Sequence, residues 1–382
     1  MINAAVRVPV GELLSSTYGM LVLAKVAALV VVGVLGWRQR VVAVTALAAD
    51  PQDRSMFTRL AVVETAILMI TIGIAVALGR TPPPPPRDRR EPSAVEEILG
   101  YPLTGPPTGL RLVLDWRFDL LFGTLALILA AGYLLGVRRV HTSGVRRWPP
   151  ARTVSWVSGC VLVLLATSSG VGRFAPAVFS VHTGAVAVLA ILAPLALAAG
   201  APLTLARAAV ADTDTGTGTG TDAAVPGPRD WLRELQNSAP IRAVTHPVVV
   251  WVLFVGGFFV FYLGGLYNAV GGSHVAHVLA NAYFLIAGYL LFWVGLGVDP
   301  TWRPPLSRRA GITLLTTALG GYLAFALILR TTSTVIAGQY YTSLRRGWFE
   351  DLAADQRLGA AIALAAGLIA LVIAVTVRAR PG

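Results

Sequence analysis

Cysteine is almost missing from this chain: Cys160 is the only one in 382 residues, and it sits inside an apolar run. That excludes an intramolecular disulfide, a thiol pair and a Cys-x-x-Cys redox or copper motif. Charge is scarce too, at 13% of residues against 55% hydrophobic, with a mean hydropathy of +0.69. A soluble domain carries about 25% charged residues, so the composition describes a polytopic membrane protein whose first partner is the lipid bilayer. Lysine is reduced to Lys25 among 31 basic residues, and the net charge of +12 is carried by arginines in short loops between apolar runs. Such a distribution orients a chain in a bilayer, and no nucleic-acid partner is expected. Also missing are a Gly-rich phosphate loop, a nucleophile elbow and a carboxylate pair placed for acid and base work, so no enzymatic activity is expected. No short apolar segment with a small-residue cleavage site opens the chain, and the first hydrophobic run is expected to be its own anchor.

What is present is a rhythm of long apolar runs. Nine candidate spans lie near 18–36, 58–79, 118–137, 153–169, 179–199, 247–265, 276–296, 310–329 and 358–377. Backbone groups in lipid must pair within their own segment, so the expected fold is all-α, with about nine transmembrane helices. Arginines are densest after the first, third, fifth and seventh runs and in the C-terminal tail. That bias places the N-terminus outside and the C-terminus in the cytoplasm of a multi-pass cell-membrane protein. Thr81 to Arg90 is a proline run with mixed charge, read as an extended outer spacer. The Thr-Gly-Asp repeat of Asp212 to Asp222, inside a linker over 208–228, has nothing to bury and is expected to be disordered and cytoplasmic.

Three of the five histidines share one side in this topology: His182 at the outer end of the fifth run, His274 and His277 at the outer end of the seventh. On a helix, His274 and His277 fall on one face. Imidazole suits copper, and three nitrogens make a trigonal or transient hand-over site, so His182, His274 and His277 are the candidate metal ligands. Each one alone also fits an interface position, bonded to backbone or headgroup. His141 and His246 belong to inner loops and read as solvated.

Lys25 and Glu64 are ionisable groups inside spans. They stand about 18 Å and about 8 Å from the inner ends of their helices, so a structural ion pair requires the lysine to reach down, and ion or copper passage is the alternative role. Met20 reads as packing rather than a soft ligand. Asp355 and Gln356, with Tyr340 and Tyr341 before them, precede the ninth run. The aspartate can orient a histidine from behind or cap the ninth helix. Asp299 and Pro300 read as a helix stop, and Phe254, Phe258, Phe259, Phe261 and Tyr262 as packing and interface anchoring.

Two families are resembled in turn. The stretches SSTYGMLVLAKVAALVVVGVLGWRQR (15–40), RLAVVETAILMITIGIAVALGRTPPP (59–84) and GYPLTGPP (100–107) resemble the C-terminal part of the CopD copper resistance family. From about Trp148, the stretches SSGVGRFAPAVFSVH (168–182), APLALAAGAPLTLA (193–206), Leu266 to Pro300, YY (340–341) and ADQRLG (354–359) resemble the CtaG-type cytochrome c oxidase assembly factors. The implied division is a partial CopD-like domain over 1–147, three helices without the family's upstream ones, and a CtaG-like domain of six helices over 148–382. The CtaG pattern places further histidines where this chain has Val186, Asn281, Tyr283 and Gly320, while His182 and His277 match it and His274 is a local addition. The resemblance implies copper supply to, or assembly of, a respiratory haem-copper oxidase, with copper as the bound metal and oxidase subunits or a copper chaperone as partners. The substitutions also fit a degenerate scaffold without metal, and the CopD-like helices a copper permease.

Overall fold

The computed structural model describes residues 17–38, 65–67, 69–74, 76–77, 92–142, 148–211, 239–300, 304–348 and 351–379. The chain divides into two compact units, Met1–Glu91 and Pro92–Gly382. The first holds α1 (Thr17–Arg38) and a shorter apolar helix over Thr65–Ile74. Lys25 is partly buried on α1, Met20 is exposed, and Glu64 lies outside the described residues.

The second unit is built from α2 (Phe122–Thr142), α3 (Pro150–Ser168), α4 (Phe179–Ala209), α5 (Pro247–Leu263), α6 (His274–Leu296), α7 (Arg308–Thr331) and α8 (Leu352–Ala379). Among the described residues of the whole chain, seven helices are long and apolar enough to cross a membrane, and Pro247–Leu263 and Thr65–Ile74 are shorter. The protein is therefore an all-helical, multi-pass membrane protein.

The helices pack through small residues, because lipid offers no hydrophobic incentive for one apolar helix to leave it for another and close approach must supply dispersion instead. α8 presents Gly359, Ala363, Gly367, Ala370 and Ala374, all buried, and lies against α7 and the first half of α4. At Gly288 of α6 an added Cβ would stand 1.9 Å from the Ala190 carbonyl oxygen of α4, so the two backbones cross there in contact. The opposite faces of α2 and α8 expose Leu127, Ile128, Leu135, Leu368 and Val372, as lipid-facing surfaces do.

Two helices depart from α geometry. α4 contains a π turn at Val188–Leu192, and α5 contains two, Val252–Gly256 and Phe259–Leu263. A π turn widens the helix and re-aims the side chains that follow it. The Tyr283 hydroxyl of α6 donates to the Leu253 carbonyl within the first α5 turn, 2.6 Å away.

Both helical segments of α4 begin on an aspartate from elsewhere. Asp355 of α8 accepts from the Phe179 and Ser180 amides at 2.8 and 3.2 Å, supplying the cap that Val178 lacks. After a break at Gly200 and Ala201, Asp299 accepts from the Leu203 and Thr204 amides, both at 2.7 Å, at the start of Pro202–Ala211. Two sequence expectations are corrected here. The stop of α6 is Gly297, in the left-handed region at φ 60, and Asp299 beyond it caps another helix. The start of α8 is capped by Asp351, which accepts from the Ala354 amide at 2.8 Å, leaving Asp355 for α4. Residues 208–211 of the expected linker are helical, and 212–238 lie outside the described residues, as do Thr81 to Arg90.

Candidate metal centre

His182 is the fourth residue of α4 and His277 the fourth of α6. Each follows a helix start whose cap fixes its first turn: Asp355 holds the amides ahead of His182, and the Ser273 hydroxyl accepts from Ala276 at 3.3 Å ahead of His277. The two imidazoles meet edge-on, with ring centroids 6.0 Å apart. His182 is 4% exposed. His274, the first residue of α6, is exposed and stays out of the cluster. Among the described residues no group of three or more His, Cys, Asp or Glu is placed to hold a metal ion, so the three-histidine arrangement expected from sequence reduces to a pair.

Each ring has one nitrogen tied to the protein. The His277 Nδ1 lies 3.1 Å from the Ser273 carbonyl oxygen. A carbonyl only accepts, so Nδ1 carries the proton and Nε2 presents a lone pair. That Nε2 is buried and has no hydrogen-bond partner. His182 shares a hydrogen bond of 2.9 Å between its Nε2 and the Tyr262 hydroxyl. Tyr262 stands in the second π turn of α5 and keeps ring contact with Phe261 and Phe325 while its hydroxyl meets the histidine.

Tyrosines close the rest of the cage. Gly264 and Gly265, the latter at φ 79, reverse the chain after α5 and drop Tyr267 onto the His182 ring, stacked at 4.7 Å and 11°. The Tyr267 and Tyr341 hydroxyls bond at 2.6 Å. Tyr340 approaches His277 at 6.5 Å and donates to the Pro176 carbonyl at 2.7 Å. Burial holds the phenols of Tyr267, Tyr340 and Tyr341, all between spans, well above the usual tyrosine value, so they remain neutral. Behind them Arg346 donates to the Ala177 carbonyl and lies 5.5 Å over the Tyr341 ring, its guanidinium pushed down from its ordinary value by burial.

The positions at which the CtaG resemblance calls for more imidazole do other work. Val186, one turn beyond His182, is 3% exposed and packed in the core. Tyr283 serves the α5 π turn, and Gly320 has nothing within 4 Å of an added Cβ. His246, expected to be solvated, accepts from the Val248 amide through Nδ1 at the start of α5, while His141 is exposed. The Gln356 side chain forms a tie: it accepts from the Ile336 amide at 2.8 Å and donates to the Thr334 carbonyl at 3.1 Å. Tyr262 and Tyr267 were outside the sequence-derived candidates, because neither histidine spacing nor apolar period points to them.

The fold and site together define a multi-pass helical membrane protein in which a buried histidine meets a half-buried one among tyrosines. Residues 131–380 match the model of the cytochrome c oxidase caa3 assembly factor family (Caa3_CtaG), and the chain belongs to that family. Residues 1–78 match copper resistance protein D. An uncharacterized protein of Mycobacterium leprae is 34% identical over 283 residues, 74% of this chain and 42% of its own length. Uncharacterized proteins of Mycobacterium bovis and Mycobacterium tuberculosis are 32% identical over 272 residues, 71% of this chain and 40% of theirs. The chain thus spans about two fifths of the length of the curated relatives it matches. No solved structure matches it.

The copper that the family names imply can be tested against the residues present. An imidazole that ligates metal usually gives its other nitrogen to the protein. His277 has that arrangement, with an orphaned buried lone pair facing a neutral cage beside a second imidazole. Imidazole suits copper among other transition metals, and His182 and His277 are the residues that would hold such an ion.

Proposed function

We propose that this protein assists assembly of a haem-copper cytochrome c oxidase by handling copper at the end of the bundle where His182 and His277 meet. Copper is its cargo, and it forms no covalent intermediate. The observation that carries this reading is the unpartnered, buried Nε2 of His277, 6.0 Å ring to ring from His182. The arginine bias supports an outer-face location for that end. The test is complementation of a deletion strain with the His182→Ala, His277→Ala double variant. Loss of oxidase copper with the membrane level of the variant unchanged is expected. Full metallation would overturn the reading.

A second reading, a scaffold that holds an oxidase subunit without metal, is favoured by Tyr283 and Val186, whose side chains are committed to packing and backbone bonding where the resemblance calls for ligands. Retained capture of the oxidase by the double variant, with normal oxidase copper, supports that reading instead.

A further inference from the structure

We propose that residues 109–121 form a strap that lies flat in the lipid interface at the end of the bundle where His182 and His277 meet, with the phospholipid leaflet as its partner. The proposal is independent of any metal.

For a segment facing water, the strap is inside out. It consists of the short helix Gly109–Leu114 and the turns that lead into α2. Leu110, Val113, Leu114, Trp116, Leu120 and Leu121 are each between 48% and 70% exposed. Single exposed apolar residues are ordinary, but such a density along one short stretch marks a membrane or protein partner. The charges of the same stretch are spent on the protein. Arg111 Nε donates to Asp115 Oδ2 at 2.9 Å, its guanidinium lies 4.9 Å over the Phe174 ring, and Arg173 reaches the same carboxylate at 3.9 Å. Asp119 accepts from the Leu121 and Phe122 amides at 2.9 and 2.7 Å. The Arg117 guanidinium lies 4.2 Å over the Tyr101 ring. An apolar medium demands that polar groups be satisfied in this way, whereas water does not.

Close approach fixes the height of the strap. An added Cβ at Gly170 would stand 2.0 Å from the Arg111 carbonyl oxygen, so the strap backbone rests on the connection from α3 to α4. The Asp119 amide donates to the hydroxyl of Ser168, the last residue of α3, at 3.0 Å, and the Arg117 amide donates to the Ser168 carbonyl at 2.8 Å. The strap is therefore level with the end of a span, where a bilayer passes from acyl chains to headgroups.

Continuity identifies the occupant. Leu121 runs directly into α2, whose exposed Leu127, Ile128 and Leu135 face lipid, and the strap extends that apolar surface around the end of the helix. Trp116 is of the residue type that collects at membrane interfaces. A protein docking from water would call for a polar rim around the apolar centre, and here the charges are turned inward instead. A segment of this kind immerses its apolar side chains by about 5–10 Å.

The experiment uses the full chain in phosphatidylcholine nanodiscs loaded with one chain each. Nitroxide spin labels are placed at Leu114→Cys and Leu121→Cys, with Ile128→Cys on α2 as the lipid reference and the exposed Glu97→Cys as the water reference. Cys160, 3% exposed, stays in place, and the parent chain supplies the background labelling. The ratio of collisions with oxygen to collisions with a water-soluble nickel complex is expected to stand well above the Glu97 value at both strap positions and to approach the Ile128 value. Quenching by lipids brominated high on the acyl chain, read as the emission lost in Trp116→Phe, needs no cysteine and is expected to exceed quenching by acrylamide. A ratio at Leu114 and Leu121 equal to that at Glu97 would overturn the proposal, as would a Trp116 quenched by acrylamide and untouched by bromine. Labels shielded from oxygen and nickel alike would overturn it in favour of a protein cover, with discs holding one or two chains separating the rest of this chain from a second copy.

Discussion

Replacing Asp355 by alanine should be among the most damaging single changes in the molecule, and its cost can be worked out bond by bond. The carboxylate is 4% exposed and accepts from two backbone amides, Phe179 at 2.8 Å and Ser180 at 3.2 Å. Truncation orphans both, at about 1–3 kcal/mol each. It also removes a negative charge from the positive end of α4, a further contribution of up to about 2 kcal/mol in a partly buried site. The expected total is about 2–8 kcal/mol. Asp351→Ala supplies the control, because Asp351 is exposed and caps its own helix through a single bond to Ala354. That change should cost about 0.5–2 kcal/mol. Denaturant or thermal unfolding in one detergent, monitored by near-ultraviolet circular dichroism, compares the two directly. Since Phe179 and Ser180 precede His182, the Asp355 variant should also lower oxidase copper in the complementation assay, whereas the Asp351 variant should not. Equal stability losses for the two variants would refute the assignment of Asp355 as the cap of α4.

Other outcomes follow from single contacts. Gly288→Ala forces a methyl to within 1.9 Å of the Ala190 carbonyl and should cost about 1–3 kcal/mol in thermal unfolding, while Gly320→Ala, in open space, should be neutral or slightly stabilising. Tyr262→Phe leaves the His182 Nε2 unpaired in a dry cage and should cost about 1–3 kcal/mol, more than Tyr283→Phe, whose ring is 38% exposed. Tyr101, in the loop before α2, donates to the Arg173 carbonyl at 2.6 Å, and burial pushes its phenol up to about 12 from 10.0. Because the folded state holds that proton more tightly than the unfolded one, this stabilisation is complete below pH 10 and is lost as the pH rises towards 12. Ultraviolet titration of tyrosine should lose one late-ionising phenol in Tyr101→Phe, and the stability of that variant should fall less steeply over the same range.

Most of the helical architecture is legible in the chain, because apolar length is a strong, local signal that lipid enforces. The spans from Phe122 to Ala379 overlap the expected runs one for one, and the largest difference is at α4, which runs to Ala209 where the apolar run was expected to end at 199. The site was legible in part. His182 and His277 could be paired because both sit at the same end of their runs, yet His274, only three residues away, is exposed. A residue's depth follows from its place along the helix, whereas its facing depends on how α6 rotates against α4, and that is set by the contact at Gly288. Tyr262 and Tyr267 were hidden for a different reason. A π turn in one case and a left-handed glycine in the other break the regular period that sequence reading relies on, and each brings its tyrosine to His182. The destinations of Asp299 and Asp355 were equally invisible, since each crosses to a helix start about 96 or 176 residues away.

The cap supplied by Asp355 also orders events during biosynthesis. The N-terminal turn of α4 emerges from the ribosome long before the residue that satisfies its amides, and must wait in the translocon or in lipid until α8 is inserted. Until then His182 has no fixed backbone beneath it. A nascent or truncated chain therefore carries His182 without the cap that fixes its turn, and the histidine pair is completed only in the finished molecule.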